Sequence, residues 1–239
     1  MKHTVEVSLS PALYPFRTTT GRHITIVIDI LRFTTSLISA FNHGVRAVIP
    51  VATPEEAETL KLQGYPVAAE RDGLRLPFAD YGNSATDFNT PEIDGKTLVY
   101  STTNGTIAMK MASENGPVAA AAFSNINAVV SWVAAQQMNV VILCSGWKNL
   151  ISIEDTICAG AIAELLIQQE NFTSDCDSAS ISADLWSHTK ADLRKHLTET
   201  SHYKRLIKLG IDPLPDYTVQ LSISSAVPVL SGGIIHNQH

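Results

Sequence analysis

The sequence predicts an α/β protein in three layers, with helices covering both faces of a parallel or mixed central sheet. Short apolar runs of about five residues alternate with longer helical segments, as in βαβ units. These runs lack polar interruptions, which indicates strands that are buried on both faces. The sequence also matches itself when it is shifted by about 72 residues, which predicts an internal duplication.

The repeat aligns residues 25–53 with residues 97–125 and predicts the same order of elements in both copies. Six aligned pairs are identical: Thr25/Thr97, Val27/Val99, Thr34/Thr106, Ala40/Ala112, Gly44/Gly116 and Ala47/Ala119. We therefore predict a single domain over 1–239 that consists of two related halves, at about 24–73 and 96–146, and a C-terminal extension.

In the first half, a polar residue ends the first strand and Gly44 stands where a glycine commonly follows a helix. Thr53, Pro54 and Glu56 form the pattern of a capping box with proline in the first helical turn. In chain order the predicted elements are strand 24–28, helix 31–43, strand 47–51, helix 53–63 and strand 65–69.

The second half repeats this order and is followed by a helix that opens at Ser152, where Asp155 completes a looser capping box. Its predicted elements are strand 97–101, helix 106–115, strand 117–123, helix 125–137 and strand 139–144. The remaining predictions are helix 152–169, a loop at 171–182, helix 191–209, a strand near 218–223 and a turn region at Pro228, Gly232 and Gly233.

Composition excludes several classes of function. The chain has 17 Lys+Arg against 23 Asp+Glu, a net charge of −6, and no basic run of the kind that nucleic-acid binding needs. The apolar runs are far shorter than the roughly 20 residues that span a bilayer. The first 20 residues lack the apolar core of an export signal, and the three cysteines lack metal-site spacing, so we expect a cytoplasmic protein.

Polar residues follow four of the predicted strands, where ligands collect in α/β folds. Asp29 either caps the next helix or carries chemistry, although Leu31 stands where haloacid-dehalogenase phosphatases have a second aspartate. Glu154 and Asp155 lie in a first helical turn, where acids complement the helix dipole or could bind Mg²⁺.

The candidate anion-binding groups also have plain structural alternatives. Arg32 and Arg71 could each clamp an oxyanion or form an ion pair with a neighbouring carboxylate. The turn at 102–106 offers hydroxyls and main-chain N–H groups at a helix start, but Asn-Gly also marks ordinary tight turns. Asn83 either reaches the site or belongs to a turn.

Taken together, five segments resemble the 2-phosphosulfolactate phosphatase family, in the order that the family shows, over about residues 5–235. They are 27–35 (VIDILRFTT), 69–73 (AERDG), 81–84 (YGNS), 101–106 (STTNGT) and 152–155 (SIED) with Ala159-Gly160. The resemblance implies Mg²⁺-dependent hydrolysis of 2-phospho-3-sulfolactate, or a related small phosphorylated acid, to 3-sulfolactate and phosphate. This reaction was first associated with coenzyme M biosynthesis.

With this resemblance, the site residues take provisional roles. Asp29, Arg32 and Glu70 are the expected catalytic residues, and Asp29, Glu70 and Asp155 the expected Mg²⁺ ligands. The expected substrate-binding residues are Arg71, Asn83, Thr103, Asn104, Gly105 and Thr106. Asp29 could instead be a covalent nucleophile. The expected partner is a small anionic substrate, with a homodimer allowed, and the alternative function is noncatalytic binding of sulfonate or phosphate anions.

Overall fold

The computed structural model describes residues 2–238, and its strands arise where apolar runs can be buried on both faces. The strands are β1 His3–Ser8, β2 Ile24–Ile28, β3 Ala47–Pro50, β4 Val67–Arg71, β5 Leu74–Arg75, β6 Thr97–Ser101, β7 Val118–Ala121, β8 Val140–Cys144, β9 Phe172–Thr173, β10 Val227–Ser231 and β11 Ile234–Gln238. All residues of β2, β7 and β8 are buried, as their unbroken apolar sequences predict.

The helices follow the strands at the predicted spacing through most of the chain. They are α1 Phe33–Asn42, α2 Pro54–Leu62, α3 Gly105–Ala112, α4 Ile126–Gln136, α5 Ile153–Ile167, α6 Asp177–Thr189, α7 Leu193–Thr198, α8 Ser201–Lys208 and α9 Asp216–Val219. Helix α2 has the predicted capping box, because Thr53 Oγ1 accepts the N–H of Glu56 and the Glu56 carboxylate accepts that of Thr53. Gly44 follows α1 with φ +88°.

All eleven strands form one mixed, mostly parallel sheet, so the α/β class and the mixed sheet are confirmed. Its order is β5-β4-β6-β3-β11-β10-β7-β2-β8-β1-β9. One parallel block contains β4, β6 and β3, and the other contains β7, β2, β8, β1 and β9. The antiparallel hairpin β10–β11 joins the two blocks.

The two predicted halves exchange their first strands. Strand β2, from the first half, lies between β7 and β8. Strand β6, from the second half, lies between β3 and β4. Helix α3 consequently packs on β2, and Phe33 at the start of α1 packs against Tyr100 of β6 with ring centroids 5.1 Å apart. This exchange brings the starts of α1 and α3 together.

The prediction of a loop at 171–182 is wrong, because β9 and the first part of α6 lie there. The inward face of α6 carries Ala179, Ser182 and Trp186 at helical spacing, and Gly160 of α5 packs against its main chain. A Cβ atom at Gly160 would overlap the carbonyl oxygen of Ser182. The close approach of α5 and α6 therefore requires glycine at position 160.

Three other predictions for this part of the chain are corrected. Residues 191–209 form two helices, α7 and α8, with a break between Thr198 and Ser201. No strand forms near 218–223, where α9 ends, and the last strands are β10 and β11. The turn at Gly232 and Gly233 is confirmed, but Pro228 lies inside β10, outside the part that pairs with β7. Strands β1 and β5 were not predicted from the sequence.

The capping box predicted at Ser152 does not form, since the Ser152 side chain makes no cap hydrogen bond and the Asp155 carboxylate turns to other partners. Across residues 2–238, every helix is too short or too polar to cross a membrane.

Candidate active site

The residues that follow β2, β4, β6 and β8 border one narrow cleft, which confirms that the predicted strand ends meet. From the predicted site residues, the cleft brings together Asp29, Arg32, Glu70, Asn83 and Asn104. Helix α8 closes its other side with three residues that no sequence motif indicated: His202, Arg205 and Leu206.

Asp29 holds the start of helix α1 and, among the described residues, keeps one carboxylate oxygen free. One carboxylate oxygen accepts the N–H of Phe33 at 3.2 Å, and the Asp29 carbonyl oxygen accepts that of Thr34 at 3.0 Å, so Asp29 holds the start of α1. The other carboxylate oxygen has no hydrogen-bond partner within residues 2–238. Burial, together with the charges of Glu70 and Glu154, raises the pKa of Asp29 to about 6.

Asp155 connects two of the strand ends. Its two carboxylate oxygens accept the N–H groups of Ile30, at 2.8 Å, and Gly146, at 3.0 Å, which follow β2 and β8. Burial and the nearby charges of Asp29 and Glu154 raise the pKa of the Asp155 carboxyl, against the opposing effect of the two amide donors. The first role of Asp155 is therefore to fix the geometry of the loops around Asp29.

Glu70 connects the other two strand ends in the same way. Its carboxylate accepts the N–H of Thr103 on one oxygen and that of Gly73 on the other, both at 2.7 Å. Only 4% of Glu70 is exposed. Since both oxygens hold main-chain amides, Glu70 fixes the turns after β4 and β6 whether or not it also acts on a ligand.

Arg32 is a buried cation without a carboxylate partner. It is 8% exposed, donates to the carbonyl oxygen of Gly73 at 2.6 Å, and takes part in none of the ion pairs of residues 2–238. An unpaired guanidinium is costly to bury. The ion pair that the sequence offered as the alternative for Arg32 is absent from this part of the chain, so its charge is available to an anionic ligand.

Arg71 has a different environment. Its guanidinium donates to the carbonyl oxygens of Glu70 and Ala52 and to Ser101 Oγ, so it ties β4 to its neighbours. It is not among the residues that border the cleft. Its expected role in substrate binding remains a prediction that its present contacts do not favour.

Within the turn at 102–106, only Asn104 borders the cleft. The N–H of Thr103 is bonded to Glu70 and that of Thr106 to Thr102 Oγ1, so two donors of the expected anion cradle are already used. Gly105 lies against the Phe33 ring, where a Cβ atom would overlap it. The turn therefore packs α3 against α1 and presents one amide side chain to the cleft.

Asn83 is held beside the cleft by a buried tyrosine. It is 5% exposed, and its side-chain oxygen accepts the hydroxyl of Tyr100 at 2.7 Å. The carbonyl oxygen of Asn83 also accepts the hydroxyl of Ser36, which fixes the loop to α1. This arrangement leaves Asn83 rigidly placed at the cleft wall.

The residues on α8 complete the cleft and were missed from the sequence. His202 Nδ1 lies 2.9 Å from the Glu154 carboxylate, and the Arg205 guanidinium stacks on Trp147. Burial alone would raise the pKa of Glu154, but the hydrogen bond from His202 lowers it overall. His202, Arg205 and Leu206 share one helix face by their spacing, yet nothing in the sequence shows that this face meets residues 29 and 70.

The donor set fits a loosely held magnesium ion better than a cage of protein ligands. Among residues 2–238 no three His, Cys, Asp or Glu side chains are grouped as a metal site. The oxygens of Glu70 and Asp155 already accept main-chain amides, whereas Asp29 has a free oxygen. Mg²⁺ is commonly held by one or two carboxylates together with waters and a substrate phosphate. Asp29 can serve in such a site.

A larger groove of about 1030 Å³ lies between α2, α3 and the β10–β11 hairpin. Its walls include Trp132, Pro117 and Leu230, with Lys110 and Glu55 among its few charges. None of the clustered buried carboxylates lines this groove. By volume alone, the groove would be the better candidate for the active site. The cleft at Asp29 is the better candidate by chemistry, because the buried carboxylates lie there.

A family model described as 2-phosphosulpholactate phosphatase matches residues 9–233 of this chain. The chain belongs to the 2-phosphosulfolactate phosphatase family. This confirms the family that the sequence motifs indicated, and four of those motifs contribute residues to the cleft. The motif at 152–155 adds Glu154 and Asp155 behind it.

Curated relatives of the chain are similar over most of their length. A protein of Thermotoga maritima is 33% identical over 210 residues, which cover 87% of this chain and 89% of that protein. A protein of Gloeothece citriformis is 33% identical over 85% of this chain and 87% of its own length. A protein of Clostridium acetobutylicum is 31% identical over 88% and 90%. Each is named a probable 2-phosphosulfolactate phosphatase.

Proposed function

We propose that this protein is a phosphatase that hydrolyses 2-phospho-3-sulfolactate, or a related small phosphorylated acid, to the free hydroxy acid and phosphate. One observation carries the proposal: Arg32 is buried without a carboxylate partner, three residues from an aspartate that keeps one oxygen free. Family membership and the names of the relatives support the same reaction.

In this proposal, Arg32 binds the phosphate through its planar guanidinium, which matches the geometry of phosphate oxygens. Asp29 either attacks the phosphorus as a nucleophile or orients the attacking water. Mg²⁺, when bound at Asp29 with the substrate phosphate, would supply positive charge to the oxygens that become more negative in the transition state. Glu70 and Asp155 could join as ligands through their remaining lone pairs.

Substrate entry requires a change in the cleft. Its free volume is about 10 Å³, which is room for roughly one water molecule. A phosphorylated three-carbon acid is far larger. Because α8 supplies one wall of the cleft, we propose that α8 shifts outward to admit substrate and then returns, which excludes water from the reacting phosphate.

We also propose that the sheet and its helices form three layers and that the fold contains an internal duplication. The strand pairs Thr25–Val118 and Thr97–Ala47 correspond to each other under the sequence repeat to within one residue. This correspondence supports a duplicated α/β unit whose copies exchanged their first strands. A cytoplasmic location, a place in coenzyme M biosynthesis and a homodimer remain predictions.

The test is phosphate release from 2-phospho-3-sulfolactate and from other 2-phospho acids, with added Mg²⁺ and with a chelator. We expect release that depends on Mg²⁺ and that falls by at least about 100-fold in Asp29→Asn. Asp184→Asn is the control, because Asp184 is exposed on α6 and loses the same charge. No release from any substrate would refute the phosphatase, and binding without release would favour an anion-binding protein.

The two roles for Asp29 predict different products. A nucleophilic Asp29 would be trapped with beryllium fluoride and would take up ¹⁸O from labelled water during turnover. A water-orienting Asp29 predicts neither result. Full turnover by Asp29→Asn would contradict both mechanisms.

A further inference from the structure

Two arginines bind the same turn at the edge of the cleft. Arg32 donates to the carbonyl oxygen of Gly73 at 2.6 Å, and Arg205 donates to that of Asp72 at 3.0 Å. Neither arginine takes part in an ion pair within residues 2–238. Since their acceptors are adjacent carbonyls, two cations without a carboxylate partner in the described chain lie close together at this edge of the cleft.

Arg205 is held in place by three contacts. Its guanidinium carbon lies 3.6 Å from the centroid of the Trp147 ring, a stacked cation–π contact. Its Nη1 binds Asp72, and its Nη2 lies 2.8 Å from His202 Nε2. An arginine side chain that has so little freedom before binding loses little entropy when a ligand arrives.

The orientation of His202 follows from the same contacts. Because a guanidinium can only donate, His202 Nε2 must accept, and the proton therefore resides on Nδ1. That proton is donated to the Glu154 carboxylate at 2.9 Å. Glu154 thus fixes His202, and His202 fixes Arg205. The Nε atom of Arg205 is buried and has no partner among the described residues, so one donor remains free.

We propose that Arg205 determines the specificity of the enzyme by binding the carboxylate of the substrate, while Arg32 binds the phosphate. Arg32 is the more deeply buried of the two and lies three residues from Asp29 in the chain, so we assign it to the phosphate that reacts. Two cations on adjacent carbonyls suit a phosphate and a carboxylate that are attached to the same carbon atom. His202 and Glu154 are positioning residues for Arg205. The inference rests on the proposed phosphatase activity.

The test compares two substrates that differ only in the second acid. 2-Phospholactate and isopropyl phosphate have the same branched skeleton, with a carboxylate in the first and a methyl group in the second. For each, kcat/KM is measured in the wild-type protein, Arg205→Gln and Arg205→Lys. The control is Lys204→Gln, which removes one positive charge from an exposed position of the same helix.

We expect wild type to prefer 2-phospholactate and Arg205→Gln to lower that preference by at least about tenfold, mainly through KM. Arg205→Lys should keep part of the preference, and Lys204→Gln should keep all of it. A preference within twofold of wild type in Arg205→Gln would overturn the inference, as would an equal loss on both substrates.

Binding of the same two compounds, measured by calorimetry with chelator present, separates this inference from the phosphatase proposal. If wild type releases phosphate from neither compound nor from 2-phospho-3-sulfolactate and the other 2-phospho acids, the proposed function fails, and the binding preference alone decides the role of Arg205. Loss of that preference in Arg205→Gln supports the role, and its retention refutes it. Far-ultraviolet circular dichroism shows whether each variant is folded.

Discussion

Replacing Glu70 with glutamine tests whether this carboxylate holds the site together. Glu70 accepts two main-chain N–H groups, from Gly73 and Thr103, at 2.7 Å each. Glutamine keeps one acceptor oxygen and puts an NH₂ group where the other stood, so a donor faces a donor. A hydrogen bond to a charged group contributes roughly 1.5–3 kcal/mol. We therefore expect Glu70→Gln to lower the free energy of unfolding by about that amount.

Removing the Glu70 charge also has an opposite, stabilising effect. The Glu70 charge is one of those that raise the pKa of Asp29, so removing it relieves repulsion among the buried carboxylates and would by itself stabilise the protein. If Glu70 serves only catalysis, its replacement should leave stability unchanged or increase it. The hydrogen bonds are short and buried, and we expect their loss to exceed the relief of repulsion.

Thermal and urea unfolding measure the outcome. For a chain of this size, each kcal/mol corresponds to roughly 2–4 °C in Tm, so Glu70→Gln should unfold about 3–12 °C below wild type. Glu58→Gln, at an exposed position of α2, removes the same charge without buried contacts and should match wild type. A Tm for Glu70→Gln equal to or above that of wild type would refute the reasoning.

Three further predictions concern the supporting structure. Gly160→Ala should lower the free energy of unfolding by about 1–3 kcal/mol in urea, because the new Cβ meets the main chain of Ser182; unchanged stability would contradict the close packing of α5 and α6. Tyr100→Phe leaves the side-chain oxygen of Asn83 without its buried donor and should cost about 1–3 kcal/mol, with a loss below 0.5 kcal/mol arguing against that bond. Burial lowers the pKa of His23, so the unfolded chain takes up this proton first as the pH falls. The free energy of unfolding should therefore decline below about pH 6.5, by up to about 1.4 kcal/mol per pH unit. His23→Gln should remove that part of the pH dependence.

The elements between residues 24 and 144 were predictable because each signal is local. Buried strands such as β2 and β8 are unbroken apolar runs, and α2 begins with a complete capping box. Helix α6 lacks such a signal, since its buried face includes Ser182 and Thr189. Small side chains are needed there because α5 approaches closely. This face therefore lacks the regular spacing of large apolar residues from which a helix is predicted.

The site residues likewise divide into those with a local sequence signal and those that only the tertiary structure brings to the cleft. Asp29 and Glu70 stand at the ends of apolar strands, where the sequence alone marks a charge as unusual. Arg205 stands on a helix rich in exposed charge, and only the tertiary structure shows that it faces the cleft. Asp155 matched a capping pattern, but its carboxylate accepts the main-chain N–H groups of Ile30 and Gly146 instead of capping its own helix.

The exchange of β2 and β6 has a consequence for how the chain folds. Neither block of the sheet is complete until strands from both halves have been made, because β2 needs β7 and β8 as neighbours. The hairpin β10–β11, which closes the gap between the blocks, is the last pair of described strands to leave the ribosome. The sheet is therefore complete only when nearly the whole chain is present, and a nascent chain ending near residue 200 should expose the unpaired edges of β3 and β7 to chaperones or aggregation.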